Sequence, residues 1–362
     1  EKATGAEDLE TLFGGKITVS VSDNVYGSEA EISVTVPYDA GYTVKYTGTI
    51  NGGMSYDSAD VPTEAGSYEA VVTVTETDNY GEYVFEQSFD IKRAALGGIS
   101  AVIDFGATGE WTYGDEPHDV SVSGNPGNAD VTYLYAGRTN AGRDYESSVA
   151  PTEAGSYPVT ATVAESANYG SFVTDALAFT IERRMIDEDF KVSMRSFVYG
   201  EEAEAPSVSG NPGGAQVTYT YKGATNGGAS YEKSGTDETA IRPTEAGSYT
   251  LTVSVPTTPN YYGDTDSCDF YIERAGFVMS ADDISGAEEG FTYGDTVELA
   301  FAGSNPVGSG RVVIYYYGES NDGAWSYTLG DGHLTAPSLA GEYNAVAVAA
   351  QSDNYRRVQS AP

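Results

Sequence analysis

Pro62-Thr63-Glu64-Ala65-Gly66-Ser67-Tyr68 decides how this chain is read, because the same seven residues return at Pro151 to Tyr157 and again at Pro243 to Tyr249. A worn copy, Pro337-Ser338-Leu339-Ala340-Gly341-Glu342-Tyr343, makes a fourth. The four tyrosines recur at roughly ninety-residue intervals, the mark of one small domain written four times. Proline fixes its own φ and donates nothing to a ladder, so it closes the segment before it. Ala-Gly then supplies permissive backbone for a sharp turn. Beyond the tyrosine an apolar/polar alternation begins: Tyr68, Ala70, Val72, Val74; Tyr157, Val159, Ala161, Val163; Tyr249, Leu251, Val253, Val255. Period two is a half-buried strand. A tyrosine heading such a strand matches the tyrosine corner of Greek-key sandwiches, its ring in the core and its hydroxyl bonded to backbone upstream. Tyr68, Tyr157, Tyr249 and Tyr343 are accordingly expected to be structural.

Around each corner the same short segments recur. Two alternating stretches precede it, such as Ile17 to Val21 and Ile32 to Val36, with a Tyr-Gly pair at Tyr26, Tyr113, Tyr199 and Tyr293. A third strand (Tyr42, Val44, Tyr46 in the first copy) runs to a hairpin tip containing Asn and Gly, residues that tolerate positive φ. After the corner strand comes Asn79-Tyr80, Asn168-Tyr169, Asn260-Tyr261 or Asn354-Tyr355, then a closing strand ending in Phe89-x-Ile91, Phe179-x-Ile181 or Phe270-x-Ile272. Six or seven short strands per copy, with turn residues every eight to twelve, give an all-β fold: four tandem Ig-like β-sandwich domains in an elongated, semi-rigid array. A β-grasp-like repeat is the alternative. The boundaries read as a junction over 1–15, with Glu7 to Phe13 forming a helical turn, then repeats over 16–94, 95–184, 185–275 and 276–362. Glu1-Lys2-Ala3 resembles the residues after each closing strand, so a preceding repeat is expected upstream. The fourth copy lacks its Phe-x-Ile, so its sheet is expected to keep a partial strand over Arg356 to Ala361 and to be open to self-association.

Composition narrows the function. Eighteen Lys and Arg against 54 Asp and Glu leave a formal charge of −36, which argues against nucleic acid and anionic membrane as partners. A single cysteine, Cys268, excludes an intrachain disulfide framework. No stretch approaches the eighteen apolar residues of a membrane span.

The pattern Tyr-Gly … Pro-Thr-x-Ala-Gly-x-Tyr … Asn-Tyr … Phe-x-Ile resembles the MBG-type tandem repeats of large bacterial surface proteins, the stalk domains of fibrillar adhesins, related in style to bacterial Ig-like repeats. The resemblance covers essentially the whole chain. It implies an extracellular stalk at the bacterial cell surface that projects a distal binding domain, and it carries no catalytic residues to transfer. Neighbouring repeats are then the partners, with host glycan or protein as the ligand of an alternative, adhesive reading.

Residues that break the repeat are the places to look for chemistry. His118 and His333 have no counterparts in the other copies and sit in no metal or nucleophile motif. Asp264, Asp266 and Asp269 bunch before the third closing strand, without the Gly and terminal Glu of a calcium loop, and read as a solvated acidic turn. No catalytic residue, cofactor site or metal site is assigned, and no enzyme is expected. Lysines do not recur at one repeat position, which argues against a systematic isopeptide crosslink. Two features belong to one copy only: the Lys233 to Arg242 insertion and Trp325 beside the fourth hairpin tip. Trp325 is the candidate ligand-contacting residue, set against a local packing role.

Overall fold

The structure is a computed structural model, describing residues 1–22, 24–28, 31–103, 110–186, 189–286, 290–331 and 333–362. It forms two compact units, Glu1–Arg184 and Met185–Pro362, each holding two repeats.

The first repeat opens with a helix, α1 (Ala6–Phe13), followed by strands β1 (Thr18–Ser22), β2 (Glu31–Thr35), β3 (Tyr42–Ile50), β4 (Ser55–Ser58), β5 (Gly66–Val74) and β6 (Tyr83–Ile91). β1 and β2 form a two-stranded antiparallel sheet, and the others form a four-stranded sheet in the order β4-β3-β5-β6. One face of each sheet is apolar. Val19 and Val34 from the small sheet meet Val44, Val72 and Val74 from the large one in a single core. A hairpin facing a sheet ordered C′-C-F-G is the plan of an Ig-like sandwich. A β-grasp repeat would lay its helix across one mixed sheet, and no such layer is present among the described residues.

The expected junction over residues 1–15 has a packing role. α1 spans two turns, and its Leu9 and Phe13 are buried against Ile17, Val72 and Val74. Phe13 stacks on Tyr83 at 5.6 Å and meets Tyr80 edge-on at 5.1 Å. Apolar residues four apart share one helix face, so even eight residues suffice once that face is covered.

In the third repeat the large sheet gains a short strand, Phe197–Val198, lying parallel to the closing strand Asp264–Glu273. The first and second repeats make the same parallel contact as isolated bridges, Val25 with Lys92 and Thr112 with Glu182. Each closing strand thus lies between an antiparallel neighbour, the corner strand, and a parallel one, the Tyr-Gly segment.

The Ala-Gly of the repeated motif has a different task from the turn expected of it. Gly66 is the first residue of β5 and pairs with Ile50. A Cβ there would meet the Thr49 carbonyl oxygen at 2.5 Å and the Ile50 Cα at 2.7 Å. Opposite Tyr68 stands Gly48, where a Cβ would meet the Tyr68 Cα at 2.8 Å. The tyrosine ring lies across a glycine of the neighbouring strand, so both glycines serve close approach rather than a bend.

Candidate functional site

The corner tyrosines share one geometry. Each hydroxyl donates to the backbone carbonyl four residues upstream: Tyr68 to Glu64 at 2.7 Å, Tyr157 to Glu153 at 2.8 Å, Tyr249 to Glu245 at 2.7 Å and Tyr343 to Leu339 at 2.9 Å. Tyr68, Tyr157 and Tyr249 are buried. Burial, reinforced by the neighbouring Glu64, Glu153 or Glu245, pushes each of these three phenols up to about 12. Tyr68 stacks on Phe89 and Tyr249 on Phe270, while Tyr157 meets Phe179 at a tilt.

That corner places the residue before Ala-Gly at the end of its domain, where it meets the next one. Within the first unit, the Asn168 side-chain oxygen accepts from Ala65 N at 2.9 Å, and its amide nitrogen donates to the Glu64 carboxylate. The backbone continues the clasp. Ala94 N donates to Asn168 O, and Gly170 N to Ala94 O, both at 2.9 Å. Arg93 Nε donates to Ser166 O at 2.8 Å, the Asn51 amide reaches Ala167 O at 3.1 Å, and Tyr26 meets Tyr169 edge-on at 5.4 Å.

The second unit repeats this bond for bond. Asn354 accepts from Ala246 N at 2.8 Å and donates to the Glu245 carboxylate. Arg274 Nε donates to Ser352 O at 2.8 Å, Asn226 reaches Asp353 O at 3.1 Å, and Tyr199 meets Tyr355 at 5.5 Å. Ala275 bridges to Tyr355 as Ala94 does to Tyr169. Near the start of the chain, Ala3 N donates to Asn79 O and Gly81 N to Ala3 O, the same backbone half of the clasp. Glu64 and Glu245, Asn168 and Asn354, and Arg93 and Arg274 are therefore docking residues. Their signal in the sequence was recurrence of polar residues that no core requires.

The residues singled out as exceptions to the repeat are placed as follows. Trp325 is half-buried, edge-on to the corner Tyr343 at 5.0 Å and to Tyr327 at 4.7 Å. Tyr56 holds the matching position against Tyr68 in the first repeat, at 5.5 Å. His333 exchanges two 2.8 Å backbone bonds with Tyr316, and its ring lies 4.8 Å from that of Tyr327. His118 meets Trp111 edge-on at 5.1 Å. The three aspartates do not form an acidic turn: all lie within the strand Asp264–Glu273, with separate partners. Asp266 accepts from Val192 N at 2.8 Å, and Asp269 from the Thr250 hydroxyl at 2.6 Å.

The Lys233 to Arg242 insertion builds a buried polar cluster. A short helix, Glu238–Ile241, begins after Asp237, whose side chain accepts from Ala240 N at 3.3 Å. Glu238 pairs with Arg242 at 2.5 Å and accepts from the hydroxyl of the fully buried Tyr221. Arg242 also donates to Ala203 O at 2.9 Å. Burial works to raise the Glu238 carboxyl, but hydrogen bonds from Arg242 and Tyr221 and the guanidinium charge together hold it below its usual range. Every member has a partner, as a buried ion pair requires.

Among known proteins, residues 105–182 match a family model described as MBG domain. No curated protein matches the chain. Among solved structures, the crystal structure of Drosophila N-cadherin EC1-4 aligns over 89% of this chain and 92% of that one, at 11% identity and a TM-score of 0.20. At that score the likeness carries no weight for the fold.

Proposed function

We propose that this chain is a non-catalytic stalk segment of a bacterial surface adhesin, extracellular, which carries a distal binding domain away from the cell. The observation behind this reading is the clasp. The most faithfully repeated residues of the sequence, Glu64 and Asn168 or Glu245 and Asn354, join one repeat to the next instead of lining a pocket. A module selected for ligand binding concentrates its distinctive residues in one cavity, whereas a spacer repeats its joints. The MBG match over residues 105–182 supports the same reading. The charge of −36 suits a solvated segment that resists aggregation.

Pulling the whole chain in a single-molecule force experiment tests this. Four unfolding events are expected, each releasing about ninety residues, or roughly 300 Å of contour at ~3.3–3.6 Å per residue. Extension without resistance would refute the mechanical reading. Saturable binding of this segment on arrays of host glycans and proteins would replace it with an adhesive one.

A further inference from the structure

The fourth repeat carries a groove that its three predecessors fill with their own closing strands. We propose that this groove is a β-strand acceptor site, and that its occupant is an extended segment with the apolar-x-Phe-x-Ile pattern. The proposal stands independently of the stalk reading.

The filled copies define the occupant. Opposite the corner tyrosine lies Phe89, Phe179 or Phe270, and opposite the corner glycine lies Ile91, Ile181 or Ile272. In the fourth repeat the corner strand Gly341–Ala349 has its outer edge paired only at Val348 and Ala349, by Val358–Gln359. That short strand follows the second repeat's pattern. Ser360 N donates to Ala347 O while its hydroxyl accepts from Ala347 N, as Thr174 does with Ala161. In the second repeat the strand Leu177–Ile181 continues along the same edge. In the fourth, the edge over Gly341–Ala345 faces a groove of about 470 Å³.

The walls of the groove are those of the filled sites. Phe291 stands where Trp111 stacks on Phe179 and Phe197 on Phe270, and Tyr316 stands where Tyr135 and Tyr221 meet those phenylalanines edge-on. Phe291 is 46% exposed, whereas Trp111 is 2% exposed. Tyr293, 74% exposed, holds the position from which Tyr113 N donates to Glu182 O. The turn presenting this wall is already formed: Thr292 N donates to Asp295 at 2.7 Å, as Thr112 N does to Asp115 at 2.9 Å. An incoming strand would therefore run antiparallel to Gly341–Ala345 and parallel to Phe291–Tyr293. Main-chain bonds would supply affinity, and the phenylalanine pocket specificity. The groove continues an edge on which Val358–Gln359 is already seated, so the register is set.

The test adds a synthetic peptide of sequence Asp175–Arg184 to the full chain. We expect saturable binding, slowed amide exchange confined to Gly341–Ala345 and the Phe291–Tyr293 segment, and at least a tenfold weaker affinity when the peptide carries Phe179→Ala. No binding while circular dichroism shows the chain folded would overturn the proposal, and so would equal binding of the Phe179→Ala peptide. Self-association of the chain that the peptide cannot compete away would also overturn it, assigning the groove to a second copy.

Discussion

A buried phenol that donates one hydrogen bond does two separable things, and the corner tyrosines allow them to be measured apart. Tyr249→Phe keeps the ring on Phe270 and removes only the bond to Glu245 O. It should cost about 1 kcal/mol, the net worth of a neutral hydrogen bond. Tyr249→Ala removes the ring as well and should cost about 3–5 kcal/mol. Urea unfolding of the two variants measures the difference, and equal losses would contradict the packing role. The same burial makes a pH prediction. Phenols raised to about 12 in the folded chain bind protons more tightly than the unfolded chain, whose value lies near 10. Their contribution is full below pH 10 and declines as pH rises toward 12, because only the unfolded state is then losing protons. A pH titration of the unfolding midpoint should therefore fall across that window, with a shallower fall in Tyr249→Phe. The Glu238 carboxyl gives the opposite sign. Held below its usual range, it contributes above its unfolded value and loses that contribution as pH falls through the folded one. Glu238→Gln leaves Arg242 buried without its partner and should destabilise the third repeat by about 3–5 kcal/mol.

At the level of the strand, glycine pairs decide how closely the corner strand and its neighbour approach. Gly223 faces Tyr249, and a Cβ there would meet the Ser248 carbonyl oxygen at 2.2 Å and the Tyr249 Cδ1 at 2.7 Å. Gly223→Ala must therefore displace either backbone or a core ring, and it should cost at least the ~1–3 kcal/mol of ordinary overpacking. An unfolding midpoint like that of the parent chain would show that the strands separate easily. The strands themselves were legible in the sequence. Alternation after Tyr68, Tyr157 and Tyr249 located the corner strands, and Phe-x-Ile located the closing ones, because period-two patterning is written into consecutive residues. What the sequence hid was long-range. Glu64 and Asn168 lie in different repeats, and nothing local in Pro-Thr-Glu-Ala-Gly says that its carboxylate faces the following domain. The helix Ala6–Phe13 was hard to place because its apolar face makes sense only against Val72 and Val74. Asp264, Asp266 and Asp269 read as an acidic turn because charge masked the alternation of an exposed strand face.

At the scale of joined repeats, the clasp should turn neighbours into partners in unfolding. Asn168 satisfies the N–H of the fully buried Ala65 and donates to Glu64, while Ala94 and Gly170 exchange backbone bonds beside it. Opening the second repeat therefore exposes an N–H belonging to the first, so neither repeat melts without cost to the other. Asn168→Ala leaves that N–H without its acceptor at a cost of ~1–3 kcal/mol, and it leaves the core of each sandwich untouched. Hydrogen exchange followed through a urea series can report β5 and the second repeat's Gly155–Val163 separately. In the parent chain these strands should lose protection close together. In Asn168→Ala the weaker repeat should open at lower urea while the corner tyrosines stay protected until it does. Asn354→Ala provides a second joint with the same bonds, Ala246 N and Glu245 taking the places of Ala65 N and Glu64. If both substitutions leave the order and midpoints of opening unchanged, the clasp is a contact without coupling, and the stalk reading loses the observation that carries it.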